Sequence, residues 1–324
     1  MDLFRKMLEY DSTSGKEREF ALMLVSELEC GELRSFEVGD GSLNLLLCWG
    51  EPRVVFCTHM DTVPPYLPPR FAEDRVLGRG SCDAKGQIYS MYKACRRLEA
   101  MGKDGFGLLL LSGEETGSYG AKAFAKTSFR APYLVVGEPT DNCMVSASKG
   151  TKSFDLRFIG EAFHSGYPAR GRSAVDMFVN FMNSLASAGF PEDEVLGATT
   201  WNVGQLRSDN PQNILSPLLS CRLYFRTGFA SDAAVCAFMD KARSQTLEVV
   251  ARGGDAPLNY HTVPGIPTKP VSFGSDAPHL TNFTHRMICG PGSIEVAHRD
   301  DEHILLRDID TAVEQYVKIY ESCN

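Results

Sequence analysis

Four short apolar runs, Leu43 to Cys48, Val54 to Thr58, Leu108 to Leu111 and Tyr133 to Val136, recur with helical patterns between them. Each is bounded by glycine, proline or charge. Runs of this length suit strands covered on both faces, the pattern of an α/β sheet flanked by helices. The intervening stretch Ala84 to Met101 carries Ile88, Tyr92, Cys95 and Leu98 at helical spacing. At the C-terminus, Ile309, Ala312, Val313, Tyr316, Val317 and Tyr320 form the cleanest amphipathic helix. A further helix is expected from about Lys16 to Glu29, with Phe20, Met23, Leu24 and Leu28 on one face.

The texture changes near Ser148. Phe154, Leu156 and Phe158 alternate with Asp155 and Arg157, the mark of a strand with one solvated face. A helix is expected from Ser173 to Ala186, strands near Trp201 to Leu206 and Ser220 to Thr227, and a helix over Asp232 to Val250. With 324 residues the chain exceeds what one simple core organises. The reading is therefore a layered α/β catalytic domain, 1–147 and 259–324, with an inserted α+β sandwich, 148–258.

The net charge of −8 argues against nucleic acid or an anionic membrane as partner. No stretch reaches the length of a membrane span, and Met1 to Tyr10 lacks the apolar core of a secretory leader. Ten cysteines without a C-x-x-C pair read as reduced thiols, so a cytoplasmic protein is expected.

Five motifs carry chemistry. Thr58-His59-Met60-Asp61 follows the run Val54 to Cys57, and on extended chain His59 and Asp61 face the same way, so Asp61 can accept the imidazole proton that a metal does not displace. Gly78-Arg-Gly80-Ser-Cys-Asp83-Ala-Lys-Gly86 opens a helix but lacks the ending of a phosphate loop. Asp83 there is either a metal ligand or a helix N-cap. Ser112-Gly-Glu114-Glu115 places two adjacent carboxylates after a buried run, costly unless a cation relieves them or the loop is solvated. Gly137-Glu138-Pro139 repeats the pattern, and Gly290 to His298 ends it. Together these put His59, Asp83, Glu115, Glu138 and His298 where loops leave strands, the usual place for an α/β active site. Two zinc ions carry four positive charges, which three carboxylates and one hydroxide balance. Nitrogen and oxygen donors without thiolate favour zinc, cobalt or manganese over iron–sulfur chemistry.

In this order and spacing the five motifs resemble the dinuclear zinc aminoacylase/carboxypeptidase family, which includes acetylornithine deacetylase, succinyl-diaminopimelate desuccinylase, aminoacylase and glutamate carboxypeptidase. The resemblance runs from about Ser12 to the C-terminal helix. It implies that Asp83 bridges two zinc ions, His59 and Glu138 completing one and Glu115 and His298 the other. It also implies Glu114 as general base, Asp61 behind His59, and a cis Asp83–Ala84 peptide. The inserted sandwich would be a lid and dimerisation domain, with His164 of Phe163-His-Ser-Gly166 polarising the scissile carbonyl across a homodimer. Asn213 and Arg226 fall where relatives contact substrate, Arg226 suiting a carboxylate, and Gly274 and Ser275 are added from the tail Ser272-Phe-Gly-Ser-Asp276. In Leu215-Ser216-Pro217 the chain departs from the family pattern. That tail looks most like acetylornithine deacetylases of arginine biosynthesis, so the expected substrate is a small N-acyl amino acid. The alternatives are a dipeptidase or carboxypeptidase and a succinyl-diaminopimelate desuccinylase. The complete ligand set and intact Glu114 argue against a catalytically silent relative.

Overall fold

The computed structural model describes residues 1–39 and 41–323. It divides into two compact units, one of Met1–Ser146, Tyr260–Lys269 and Ser275–Asn324, the other of Ala147–Asn259 and Pro270–Gly274. Relative to the expected boundaries, Ala147, Asn259 and the five residues Pro270–Gly274 group with the inserted unit.

The first unit is built on a six-stranded sheet in the order Glu32–Gly39, Ser42–Trp49, Phe106–Leu111, Val54–His59, Ala131–Val136, Phe283–Ile288. The two outer pairings on the Glu32 side are antiparallel; the remaining three are parallel. Val54–His59 and Phe106–Leu111 are buried at every position, as strands covered on both faces must be. Helices Lys85–Ala100 and Leu306–Ser322 pack together, and Tyr316, fully buried, donates its hydroxyl to the Cys289 carbonyl at 3.0 Å. Four parallel neighbours therefore end at one edge of the sheet, and the loop after each of them emerges there.

The second unit is an antiparallel sheet ordered Thr200–Arg207, Leu218–Thr227, Gly150–Ile159, Leu247–Gly253. Its core joins Phe154, Leu156, Phe158, Leu223 and Phe225 to Phe181 and Leu185 of helix Ala174–Ala186 and to Val235 and Met239 of helix Asp232–Ala242. The helix expected to reach Val250 is corrected here. It stops at Ala242, where Arg243 turns extended, and the Ser244 hydroxyl accepts the Leu247 N–H at 3.1 Å. Leu247 and Val249 then alternate inward along an edge strand, which β-branched Val249 and Val250 favour. The short helix Asp2–Glu9 and the half-exposed strand Glu32–Gly39 lie outside the sequence expectation. All ten cysteines are free, and no helix among the described residues is long and apolar enough to cross a membrane.

Phe56, fully buried in the central strand with its ring 5.4 Å from that of Tyr316, tests this core. Phe56→Ala should cost about 3–5 kcal/mol in urea unfolding. A loss below about 1 kcal/mol would mean that the sheet–helix layer collapses around the gap and is not close-packed there.

Candidate metal centre

His59 is the last residue of Val54–His59; Glu114 and Glu115 follow Phe106–Leu111, Glu138 follows Ala131–Val136, and the loop to His298 follows Phe283–Ile288. All four positions lie at or past the carboxyl ends of adjacent parallel strands. Asp83 comes from the turn before helix Lys85–Ala100. That helix is capped at Ala84 without any side-chain cap bond, so the N-cap alternative for Asp83 falls away. The Asp83–Ala84 peptide is cis.

The Asp83 carboxylate is buried and two-sided. Its Oδ1 lies 2.9 Å from His59 Nε2, its Oδ2 3.2 Å from His298 Nε2. His298 Nε2 is also 2.9 Å from Glu115 Oε1, and donor atoms of His59, Asp83 and Glu115 lie within 4.8 Å of one another. The other nitrogen of His59, Nδ1, is 2.9 Å from the Asp61 main-chain oxygen. A carbonyl only accepts, so Nδ1 carries the ring proton and Nε2 faces a carboxylate with its lone pair. That arrangement requires a cation between them, a second proton or a metal. The pKa shifts express the same need: neighbouring carboxylates outweigh burial and drive His59 up, and Asp83 and Glu115 push His298 up to about 10.

Glu138 supplies an independent sign. It is buried, and its Oε1 has no hydrogen-bond partner. Burial first, then the charges of Asp83 and Glu114, pushes its carboxyl well above the usual range. Orphaned buried carboxylate oxygens are rare without a cation. With two imidazoles, three carboxylates and no thiolate converging, the residues present fit a pair of divalent ions.

The Asp61 carboxylate pairs with His59 Nδ1 at 3.4 Å. It also accepts the backbone N–H of Glu114 at 3.0 Å, that of Glu115 at 3.1 Å and the Ser14 hydroxyl at 2.9 Å. It thus pins the start of the two-glutamate loop. Glu114 is half-buried, and burial together with nearby carboxylates raises its pKa despite His59. His298 holds a left-handed backbone, φ 65°, which a non-glycine residue keeps only where its surroundings impose it. Behind the ligands, Gln87 donates to both the Cys82 and Pro291 carbonyls at 3.0 and 2.7 Å, and a Cβ at Gly290 would fall 2.1 Å from its side-chain oxygen.

The second unit brings the other expected residues together in two groups. His164 and Asn213 lie on paired segments, with the Ser165 N–H donating to the Asn213 carbonyl at 2.9 Å; neither residue is buried. His164 Nδ1 accepts the Gly166 N–H at 3.0 Å, which leaves the ring proton on Nε2 as a donor. Arg226 sits opposite Thr151 in the sheet, 5.0 Å from the Tyr224 ring, with its Nη1 3.9 Å from where a Gly274 Cβ would be. Ser275, in the first unit, accepts the Ala277 N–H at 3.3 Å. Sequence reasoning missed Gln87 and the buried Arg79–Glu302 pair. Nothing in their sequence context marks them, because they touch the ligand loops only through main-chain atoms.

The description Peptidase family M20/M25/M40 matches residues 55–322. A protein of Talaromyces marneffei named probable carboxypeptidase is 29% identical over 99% of this chain and 85% of its own length. An M20 peptidase domain-containing protein of Schizosaccharomyces pombe is 30% identical over 98% of this chain and 83% of its own. Of solved structures, a tripeptidase of Staphylococcus aureus aligns at TM-score 0.81 and 16% identity, covering 99% of this chain and 97% of that one. An M20 family metallo-carboxypeptidase of Sulfolobus solfataricus aligns at TM-score 0.78 and 16% identity, over 99% and 98%. At such identities the structures speak to the fold, a mixed α/β catalytic domain with an inserted sandwich. The match spans most of the sequence, and the relatives nearly all of it: the chain belongs to peptidase family M20/M25/M40, a metal-dependent family of hydrolases acting on amide bonds.

Proposed function

We propose that the chain is a dinuclear zinc carboxypeptidase or dipeptidase, releasing an amino acid with a free carboxylate from a short peptide. The observation that carries the metal chemistry is Asp83, one oxygen on each of two imidazoles. The names of the relatives favour a peptide over the N-acetylornithine expected from the sequence. Deacetylation of N-acetylornithine stays the second reading, on the tail Ser272 to Asp276 and the run Gly290 to His298. Both substrates present the same group beside the scissile amide, a carboxylate that the Arg226 guanidinium can bind in two-pronged fashion.

Asp83 would be shared by the two ions, with His59 and Glu138 on one side and Glu115 and His298 on the other. Bound metal would supply Lewis acidity and a water that ionises near neutral pH. Glu114 takes a proton from the attacking water on its carboxylate and delivers it to the leaving nitrogen. His164 would donate its Nε2–H to the developing oxyanion across a homodimer, a contribution of about 3–4 kcal/mol where such donors have been removed. The free thiols are consistent with action in the cytoplasm.

Glu114→Ala should lower kcat by about 10²–10⁴-fold with metal content near normal by elemental analysis; loss of zinc would make Glu114 a ligand instead of the base. On a panel of dipeptides, N-acetylornithine, N-acetyl-lysine and N-succinyl-diaminopimelate, dipeptides should lead in kcat/KM by about 100-fold, near 3 kcal/mol. A lead for N-acetylornithine would move the enzyme to the second reading with the metal site unchanged. Chelation should lower Tm, and zinc restored to about 1,000 times its Kd should return about 4 kcal/mol. Calorimetry showing the same Tm with and without zinc would remove the metal assignment.

A further inference from the structure

The loop Gly80–Asp83 turns three N–H groups inward onto a single buried atom. Glu302 Oε1 accepts from Gly80 at 3.0 Å, from Cys82 at 3.1 Å and from Asp83 itself at 3.1 Å. Glu302 Oε2 pairs with Arg79 Nη1 at 2.5 Å, and both side chains are fully buried. Arg79 also donates to the Pro65 and Arg299 carbonyls, each at 3.2 Å. The same charge pair therefore grips the loop that carries Asp83 and, through Arg299, the turn that follows His298. Gln87 ties these two loops a second time.

Stability alone does not account for such a pair, because apolar residues of similar volume commonly do as well or better in a core. Three convergent N–H groups, however, need an acceptor, and one carboxylate oxygen serves all three. Arg79 cancels the charge so introduced, keeping another bare anion away from a centre already crowded with carboxylates. We infer that Glu302, held by Arg79, is a positioning residue for metal binding. It fixes the Asp83 loop against the His298 loop, and so sets the separation of the two imidazoles that Asp83 must span. The inference rests on the two-metal reading above.

The test uses full-length protein with Glu302→Gln and Glu302→Asp. The first leaves Arg79 facing an amide; the second keeps the charge but withdraws the acceptor from the loop by one C–C bond. Cobalt uptake, the visible cobalt spectrum and chelator competition are measured on each. Both variants should bind the second ion about 10–100-fold more weakly and show an altered spectrum. In metal-free protein the amides of residues 80–83 should exchange faster. KM should change little while kcat falls. Should Glu302→Gln not fold, Glu302→Asp carries the same readouts with Arg79 still paired. Wild-type affinity, spectrum and exchange in the variants would reduce Glu302 to a core ion pair and overturn the inference, leaving the proposed function intact. A wild-type protein unable to take up two ions would overturn that function, and the inference with it.

Discussion

The constraint on which the rest of this centre depends is the crowding of carboxylates around Asp83. Its two oxygens meet two imidazoles, Glu115 shares one of these, and Glu138 lies buried nearby with an oxygen that nothing satisfies. In a low-dielectric interior, like charges at such range are strongly unfavourable unless cations are interposed. Protons on both imidazoles relieve part of the load, which is why the two histidines are driven up. Protons leave Glu138 without a partner, whereas divalent ions would use every donor at once. The elevated pKa values of His59, His298, Glu114 and Glu138 are thus one electrostatic demand, felt separately by each residue.

The sheet meets that demand because parallel strands all end at the same edge. Val54–His59, Phe106–Leu111, Ala131–Val136 and Phe283–Ile288 are neighbours, so loops separated by more than two hundred residues in sequence open side by side. Rigid strands fix where each loop begins, and main-chain bonds fix its course. Asp61 holds the amides of Glu114 and Glu115, and the Thr58 hydroxyl reaches the Gly137 carbonyl at 2.9 Å beside Glu138. Bonds of this kind restrict the ligand loops, and a restricted loop limits the ordering cost of binding.

Much of this is legible in the sequence, for a definite reason. A carboxylate or histidine just after a run of buried residues is anomalous, and His59, Glu115 and Glu138 each stand in that position. Asp83 needs the helix cap to be located before its two possible roles can be separated. The misreadings have another origin. The strand Leu247–Gly253 merges in sequence with the preceding helix because the apolar residues of both belong to one core, so the change of period is masked. The edge strand Glu32–Gly39 is charged and only half-covered, and it shows no apolar run at all.

Glu302 marks the deeper limit of motif reading. It stands in Arg299-Asp-Asp-Glu302, a stretch that in sequence resembles solvated loop, and its neighbours Asp300 and Asp301 are indeed exposed. What distinguishes Glu302 is that its partners are three main-chain N–H groups and one arginine more than two hundred residues away. Main-chain N–H groups are common to almost every residue, so a carboxylate that binds them leaves no complementary side-chain pattern. Metal ligands are restricted to a few residue types at the ends of strands, and the requirement shows in the sequence. A group that holds a loop by its backbone is defined by where the fold brings it, and it becomes visible only once the distances are known.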